Sequence, residues 1–230
     1  MAAGYRSRIH ISVVIPTLNE EQNIPRLLPA IARQLKGAGY EIIVVDGGSN
    51  DRTAELAGRY GARVLYYAGG KGGALAMGLR TARGDILISM DADLSHRPGE
   101  LRLLISGIEA GYDVCMGSRF ICGGGTDDMT LIRRLGNKFF VFLVNSIFHS
   151  RYSDLCYGYR SFRRSVLPRL RLREKGFGIE TEISINAVKA GLRIIEVPST
   201  EKKRMSGEAK LRTFRDGYAI LRTILKNVGR

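Results

Sequence analysis

The first 118 residues alternate between short apolar runs and helical stretches, and this alternation limits the possible folds more than any other feature. The apolar runs cover residues 11–15, 41–46, 62–66, 84–90 and 113–117. They are apolar almost throughout rather than at every second position, which indicates strands buried on both faces. Helices are predicted over residues 51–60, 74–82 and 98–110. The pattern predicts an α/β fold in which a mostly parallel sheet carries helices on both faces.

Local signals place the first and last helices. The first follows Pro16, with Asn19 as its expected N-cap and Glu20 in its first turn. The last covers residues 214–228, where apolar residues recur at helical spacing among basic ones. A surface helix packed on the domain is favoured there over a helix lying in a membrane interface.

After residue 119 the pattern becomes less regular. A long amphipathic helix, a strand edge, a helix and a final strand are predicted over residues 131–148, 159–162, 179–190 and 192–197. A polar, glycine-containing stretch over residues 201–210 is predicted to be a mobile loop. The longest strongly apolar stretch, residues 139–148, is too short to cross a bilayer, because a spanning helix needs about 20 residues.

Charge and composition narrow the class of partner. The 230 residues carry a net charge of +14, which suits nucleic acid, an anionic membrane or a phosphorylated substrate. No nucleic-acid-binding module is recognisable, so phosphate chemistry beside a membrane is favoured over nucleic acid. The three cysteines form no Cys-x-x-Cys pair, which favours a reducing cytosol over a disulfide framework. His10, His96 and His149 are too scattered for a zinc site and are interpreted as surface or loop residues.

The motif Asp91-Ala92-Asp93 directly follows the apolar run of residues 84–90. Open α/β sheets bind ligands beyond the carboxyl ends of their strands. Mg²⁺ and Mn²⁺ prefer carboxylate and phosphate oxygens, and Mg²⁺ commonly takes one or two carboxylates together with substrate phosphates. The motif therefore indicates a metal-bound diphosphate, such as that of a nucleotide, with a merely solvated acidic loop as the alternative.

Three further positions suit a nucleotide ligand. Asp46 ends the second predicted strand, where its carboxylate could accept hydrogen bonds from a base or ribose, or could instead cap the following turn. Gly48 allows close approach of a ligand to the backbone, and Lys71 lies in a glycine-rich helix start that could meet phosphate. Neither a P-loop nor a dinucleotide-binding glycine motif is present, which disfavours those two classes.

Taken in order, these motifs resemble the family 2 glycosyltransferases, which have the Rossmann-like GT-A fold, and within them the dolichyl- and polyprenyl-phosphate mannosyltransferases. The matching runs are residues 13–20 (VVIPTLNE), 44–53 (VVDGGSNDRT), 70–74 (GKGGA), 91–98 (DADLSHRP), 117–120 (GSRF), 153–155 (SDL), 158–160 (GYR) and 180–182 (ETE), followed by Arg204, Gly207 and Lys210. The likeness extends over nearly the whole chain.

The resemblance implies an inverting transferase that moves one hexose, mannose from GDP-mannose in the first instance, to a polyprenyl phosphate. A UDP-sugar donor with another lipid or soluble acceptor is the alternative, and a non-catalytic nucleotide-binding module is a remote one. Mg²⁺ or Mn²⁺ is the expected cofactor, and peripheral contact with an anionic membrane at its cytoplasmic face is expected. Because the chain has no Trp, it lacks the Gln-x-x-Arg-Trp motif of processive synthases in the wider family.

The resemblance also assigns roles to residues. Residues 1–230 would form one domain, with residues 1–118 binding the nucleotide sugar and residues 119–230 binding the acceptor and ending in an amphipathic helix. The expected metal ligands are Asp91 and Asp93, and the expected catalytic residues are Asp93, Arg119 and Arg204. The expected donor-binding residues are Pro16, Asn19, Glu20, Asp46, Gly48, Lys71, Asp91, Ala92, Asp93, Arg204 and Lys210. The expected acceptor-binding residues are Ser118, Arg119, Arg133, Asp154 and Glu182, with Glu182 also expected to hold a neighbouring arginine.

Two departures from the family pattern bear on the donor site. Residues 46–49 read Asp-Gly-Gly-Ser where the usual turn is Asp-Asp-Gly-Ser, so one acidic contact is missing. Ser95 stands where several relatives carry a glutamine metal ligand, so coordination is expected to depend more on water.

Overall fold

The computed structural model describes residues 10–203 and 213–229. Its main sheet contains β1 (Ile11–Thr17), β2 (Tyr40–Asp46), β3 (Arg63–Tyr66), β4 (Ile86–Ser89), β5 (Val114–Ser118), β7 (Arg160–Arg163) and β8 (Ile194–Pro198). Two short strands, β6 (Gly125–Thr126) and β9 (Thr200–Glu201), pair with each other in parallel. The main sheet has the order β3-β2-β1-β4-β7-β5-β8.

The main sheet is parallel except at β7, which runs antiparallel to both β4 and β5. The predicted mostly parallel sheet is therefore confirmed. β7 comes from the second half of the chain but lies between two strands of the first half, so residues 1–118 and 119–230 share one sheet. The functional division between these halves stays a prediction.

Seven helices pack on the sheet in the described part of the chain. They are α1 (Ile24–Gln34), α2 (Thr53–Arg59), α3 (Lys71–Thr81), α4 (Leu101–Glu109), α5 (Leu131–Phe148), α6 (Ile179–Lys189) and α7 (Thr213–Asn227). Successive residues of a strand point to opposite faces. Val13 and Ile15 of β1 accordingly join a core with α1, α2 and α4, whereas Val14 joins a core with α3, α5, α6 and α7. Helices therefore cover both faces, as predicted.

The start of α1 differs from the prediction. Asn19 is not its N-cap, because the helix begins at Ile24 after a turn in which the backbone N–H groups of Asn23 and Ile24 both donate to the Glu20 carbonyl. Pro25 in the first turn explains this boundary, since proline suits the first positions of a helix, where its missing N–H costs nothing. Asn19 instead adopts a left-handed backbone conformation, with φ of 53°.

The C-terminal helix α7 packs on the domain, which agrees with the favoured interpretation. Ile220 and Ile224 are buried, and α7 contacts both α5 and α6. Tyr218 and Leu225 point outward. Across residues 10–203 and 213–229, no helix combines the length and the apolar character needed to cross a bilayer.

The strand order reverses between β1 and β4, because β2 and β3 lie to one side of this pair and the remaining strands lie to the other. Such a reversal leaves a crevice beyond the carboxyl ends of the two strands, where open α/β sheets bind their ligands. The motif Asp91-Ala92-Asp93 lies two residues past the end of β4 and therefore at this crevice.

Candidate active site

A cavity of about 500 Å³ occupies this crevice. Its walls combine residues after β1 and β4 with residues from α3, α5, α6 and α7. A volume of this size suits a small organic ligand, since such sites commonly span about 300–1,000 Å³. Predicted site residues that line it are Pro16, Glu20, Lys71, Asp91, Ala92, Asp93, Arg119 and Arg133.

The acidic loop after β4 is held by its own hydrogen bonds. The Ser95 backbone N–H donates to Asp93 Oδ1 over 3.0 Å, and the Asp91 N–H donates to His96 Nδ1 over 3.0 Å. Both carboxylates are partly exposed to the cavity. These hydrogen bonds hold the backbone of the loop, which presents both carboxylates to the cavity.

Lys71 lies directly against one of these carboxylates. Its Nζ is 2.8 Å from Asp91 Oδ1 and 3.1 Å from Glu180 Oε1. Burial acts to lower the pKa of this ammonium, but the two carboxylates outweigh burial and hold the pKa above its usual range. Lys71 is therefore a permanent cation at the site, and it neutralises part of the acidic charge.

The glycines around Lys71 explain how it reaches that position. Gly70 has φ of 99°, a left-handed conformation that favours glycine, and a Cβ on Gly72 would lie 2.5 Å from the Glu174 carbonyl oxygen. The N–H groups of Gly72 and Gly73 both donate to the Lys175 carbonyl. These two amides are therefore already engaged within the protein, and the predicted contact of phosphate with Lys71 stays a prediction.

The donor set suits a hard divalent cation that the substrate helps to bind. No group of three or more His, Cys, Asp and Glu side chains in the described ranges is arranged to hold a metal by itself. Asp91 and Asp93 would supply two carboxylates, which leaves the remaining positions to donor phosphates and water. Mg²⁺ or Mn²⁺ fits such a set, because both prefer oxygen ligands.

His96 lies in a loop, as one of the two predicted alternatives has it, but it is buried there and is not a surface residue. It is 2% exposed, and its ring stacks on Tyr159 with a centroid distance of 4.8 Å and an interplanar angle of 4°. Because Nδ1 accepts a hydrogen bond from a backbone N–H, the ring must carry its proton on Nε2. Burial lowers its pKa against the opposing effect of Asp91 and Asp93, which agrees with a neutral ring. His96 thus ties the start of the acidic loop to its end.

Two variants test whether the hydrogen bond from the Asp91 N–H to His96 stabilises the protein. His96→Asn places an amide oxygen close to the position of Nδ1 and should keep the bond from the Asp91 N–H. His96→Gln places its polar atoms farther out and should leave that N–H without a partner, which costs about 1–3 kcal/mol. Chemical denaturation should therefore rank His96→Asn above His96→Gln in stability. Equal losses would show that ring stacking, and not the hydrogen bond, is what matters.

Arg119 is neutralised within the protein. Its Nε and Nη2 donate to the two oxygens of Asp154 over 2.7 and 2.9 Å, and its Nη1 donates to Glu201 over 3.1 Å. The guanidinium carbon also lies 4.6 Å from the centre of the Tyr157 ring. Arg119 lines the cavity, yet its guanidinium already serves two carboxylates, so it fixes the cavity wall, and its predicted contact with a ligand stays a prediction.

Several other predicted residues lie behind the wall. Ser118 and Asp154 are fully buried, and the Ser118 hydroxyl contacts that of Ser153. Glu182 holds a neighbouring arginine through the backbone, because its Oε2 accepts the N–H groups of Arg173 and Glu174. These residues shape the cavity without lining it.

Asp46 caps the turn after β2, which is one of the two roles predicted for it. Its Oδ2 accepts the N–H groups of Gly48 and Ser49, and its Oδ1 accepts the Ser49 hydroxyl. Asn19 joins the same turn, since its N–H donates to Ser49 Oγ and its Oδ1 accepts the N–H of Asn50. Neither side chain lines the cavity, so both would act on a nucleotide through the turn that they hold.

Two of the predicted site residues, Arg204 and Lys210, lie outside the described residues. Glu180, Tyr157 and Glu201 line the cavity but were not among the predicted site residues. In the Glu-Thr-Glu motif, Glu180 lines the cavity and Glu182 does not, and no signal in the sequence marked Tyr157.

Comparison with known proteins identifies the family to which the chain belongs. The model of the family described as glycosyl transferase family 2 matches residues 12–171. Dolichol-phosphate mannosyltransferase of Pyrococcus furiosus is 36% identical over 88% of the chain, which spans 59% of that protein. Polyprenol monophosphomannose synthase of Mycolicibacterium smegmatis is 31% identical over 86% of the chain and 80% of that protein. Dolichyl-phosphate hexose transferase of Haloferax volcanii is 34% identical, with 94% and 92% covered.

The solved structures support the fold. Glucosyl-3-phosphoglycerate synthase from Mycobacterium tuberculosis, in complex with Mn²⁺, uridine diphosphate and glucosyl-3-phosphoglycerate, superposes with a TM-score of 0.76 at 24% identity. The superposition covers 96% of this chain and 80% of that one. The predicted GT-A, Rossmann-like fold is therefore confirmed. The matched family model and the three relatives together establish that the chain belongs to glycosyl transferase family 2.

Proposed function

We propose that this glycosyltransferase moves one hexose from a nucleotide sugar to a polyprenyl phosphate, with GDP-mannose as the donor. The observation that carries the proposal is that one cavity is lined both by Asp91 and Asp93 and by Arg133 of α5. Such a cavity can hold a diphosphate through a metal on one side and an anionic acceptor on the other. The names of the three relatives support a dolichyl or polyprenyl phosphate as that acceptor.

The donor end needs charge stabilisation. The bond from the anomeric carbon to the diphosphate breaks, and the departing diphosphate gains negative charge. A divalent cation bound by Asp91, Asp93 and the donor phosphates would supply Lewis-acid stabilisation of that charge. Lys71 adds a second cation beside Asp91 and orients the carboxylate. The Mn²⁺ and uridine diphosphate in the Mycobacterium tuberculosis synthase complex support a divalent ion in this role.

The acceptor end needs positioning more than proton transfer. A phosphate monoester oxygen is already anionic near neutral pH, so no alcohol proton must leave and a general base has little to contribute. Arg133 is the candidate to hold this phosphate, because a guanidinium binds phosphate oxygens bidentately. The acceptor oxygen then attacks the anomeric carbon opposite the leaving diphosphate, and this single displacement inverts the configuration. Arg119, which lines the same cavity, holds its part of the wall in place and would add charge.

The acceptor also suggests where the protein acts. A polyprenyl chain resides in a membrane, and a net charge of +14 favours an anionic lipid surface. We therefore place the transfer at the cytoplasmic face, with the protein in peripheral contact. Nucleic acid is not proposed as a partner.

The test is a donor and acceptor panel. The protein would be incubated with Mg²⁺ or Mn²⁺, a polyprenyl phosphate and GDP-mannose, GDP-glucose, UDP-glucose or UDP-N-acetylglucosamine, and products would be identified by mass. We expect a polyprenyl phosphate that has gained one hexose from GDP-mannose, and no product when a chelator is present. Transfer from a UDP-sugar, or to a soluble acceptor only, would replace the proposal with that alternative. Nucleotide binding without turnover of any donor would favour a binding module.

A further inference from the structure

The outer side of α5 carries large apolar side chains that nothing in the described structure covers. Those more than half exposed are Leu131 (70%), Ile132 (62%), Leu135 (58%), Phe139 (53%) and Phe142 (66%). Residues three and four apart are neighbours on a helix surface, so Leu131, Leu135, Phe139 and Phe142 form a line along one side. We call these five residues the outer apolar stripe. A contiguous apolar patch on a protein surface marks an interaction site.

The stripe is continuous with the candidate active site. Ile132 belongs to the stripe and also lines the cavity. Phe140, Gly136 and Asn137 line the cavity from the other side of the same helix. Asn137 and Val144 are buried and anchor α5 to the domain. The helix is therefore a wall with the cavity on one side and the stripe on the other, and the stripe reaches the rim of the cavity.

The charges on α5 select among possible occupants. Residues 131–148 contain three basic residues and no Asp or Glu. Arg134 and Lys138 are exposed, and Lys138 lies between Leu135 and Phe142 on the stripe side. A second copy of the chain meeting this face through a twofold axis would bring like charges together, because such an interface uses the same patch on both subunits. An anionic lipid surface is complementary, since lysine buries its stem in apolar surroundings and leaves its ammonium among the headgroups.

We propose that the outer apolar stripe enters the interface of an anionic bilayer, so that α5 rather than α7 is the main docking element. This inference rests on the proposed function, because a polyprenyl phosphate would then pass from the bilayer over the rim at Ile132 into the cavity. Among the side chains of α7 that the structure describes, the large apolar ones that are more than half exposed are Tyr218 and Leu225, against five on α5. The large apolar contribution therefore comes from α5.

The experiment compares three variants with the unaltered protein. Phe139→Gln with Phe142→Gln removes apolar surface from the stripe and keeps good helix formers. Tyr60→Gln with Leu103→Gln is the matched control, because these exposed apolar residues lie on the opposite side of the sheet, at α2 and α4. Tyr218→Gln with Leu225→Gln tests α7. Each protein would be co-sedimented with vesicles of phosphatidylcholine alone or of equal parts phosphatidylcholine and phosphatidylglycerol, over a salt series.

The expected result is binding of the unaltered protein to the anionic vesicles. The α5 variant should bind them roughly 10- to 100-fold more weakly, since each lost apolar side chain contributes substantially to insertion. The control should bind like the unaltered protein, and the α7 variant should lose less than the α5 variant. In a further variant, Arg134→Gln with Lys138→Gln, binding should fall about fivefold per charge at low salt and lose part of its salt dependence.

Each contrary outcome has a defined meaning. Equal vesicle binding by the α5 variant and the unaltered protein would overturn the proposal. So would light scattering that finds an oligomer of the unaltered protein, a monomeric α5 variant and no lipid binding by either, because the stripe would then join copies of the chain. Transfer to a short-chain, water-soluble polyprenyl phosphate should be intact in the α5 variant, because Phe139 and Phe142 do not line the cavity. If no protein transfers sugar but the vesicle results hold, the proposed function fails and the docking surface stands.

Discussion

Transfer of hexose is expected to fall by roughly 10²–10³ when Asp93 is replaced by asparagine, because one of the two carboxylates that would hold the metal ion beside the departing diphosphate is lost. Asparagine keeps the size of the side chain and an oxygen that can still accept the Ser95 N–H bond. The fold should therefore be unchanged while the negative charge on the metal side disappears. The measurement is the initial rate of transfer over a Mn²⁺ series, with circular dichroism to check the fold.

The control for Asp93→Asn is the substitution Asp85→Asn. Asp85 is an acidic residue at the opposite, amino end of β4, where it pairs with Arg164. Asp85→Asn removes the same charge far from the cavity and should leave the rate within about twofold, since surface substitutions are usually worth less than about 0.5 kcal/mol. A normal rate and unchanged metal dependence in Asp93→Asn would remove Asp93 from the donor site.

Replacing Arg119 with methionine is expected to lower the free energy of unfolding by about 3–5 kcal/mol, because breaking a buried ion pair leaves an uncompensated charge. Asp154 is fully buried and receives two hydrogen bonds from the Arg119 side chain. Methionine fills similar space but donates nothing. Denaturant unfolding at neutral pH measures the loss directly, without any assay of transfer.

Two further variants separate a structural role of Arg119 from a role in binding. Arg119→Met combined with Asp154→Leu removes both fully paired charges and should recover part of the lost stability, while Glu201 and the Arg119 backbone N–H still lose a partner. If that double variant folds well but uses the lipid phosphate poorly, Arg119 also contributes charge to the acceptor. Arg133→Met should raise the acceptor KM. Little loss of stability in Arg119→Met would mean that Asp154 finds another partner.

The sequence predicted the sheet well because its signals are local. Continuous apolar runs located the parallel strands, and the position of Asp91 and Asp93 after one of them located the cavity. The roles of Asp46 and Asn19 could not be settled in the same way. Whether a carboxylate at a strand end faces a ligand or caps its own turn depends on the path of the next few residues, and both options use the same residue types.

Three of the contacts in the site that no sequence pattern predicted join residues far apart in the chain. His96 is buried because Tyr157 and Tyr159, some 60 residues later, close over its ring. Lys71 meets Glu180, and Arg119 meets Glu201, only after α6 and β9 have been placed. From the sequence alone, a charged residue is interpreted as solvated or ligand-binding, yet in the folded chain it can form an internal ion pair. The burial and the partners of polar side chains therefore have to be taken from the three-dimensional structure.

The position of β7 has a consequence for how the polypeptide reaches this state. β4 and β5 are separated by β7, so the centre of the sheet has a gap until residues 160–163 arrive. During synthesis, a nascent chain that ends before that point exposes two unpaired strand edges, which invite association with other chains. Pairings between residues so far apart also slow folding, because loop closure must precede them. A fragment of residues 1–118 should accordingly be insoluble rather than an independent nucleotide-binding unit. Those β4 amides that bond to β7 should become protected from hydrogen exchange only after β7 has formed.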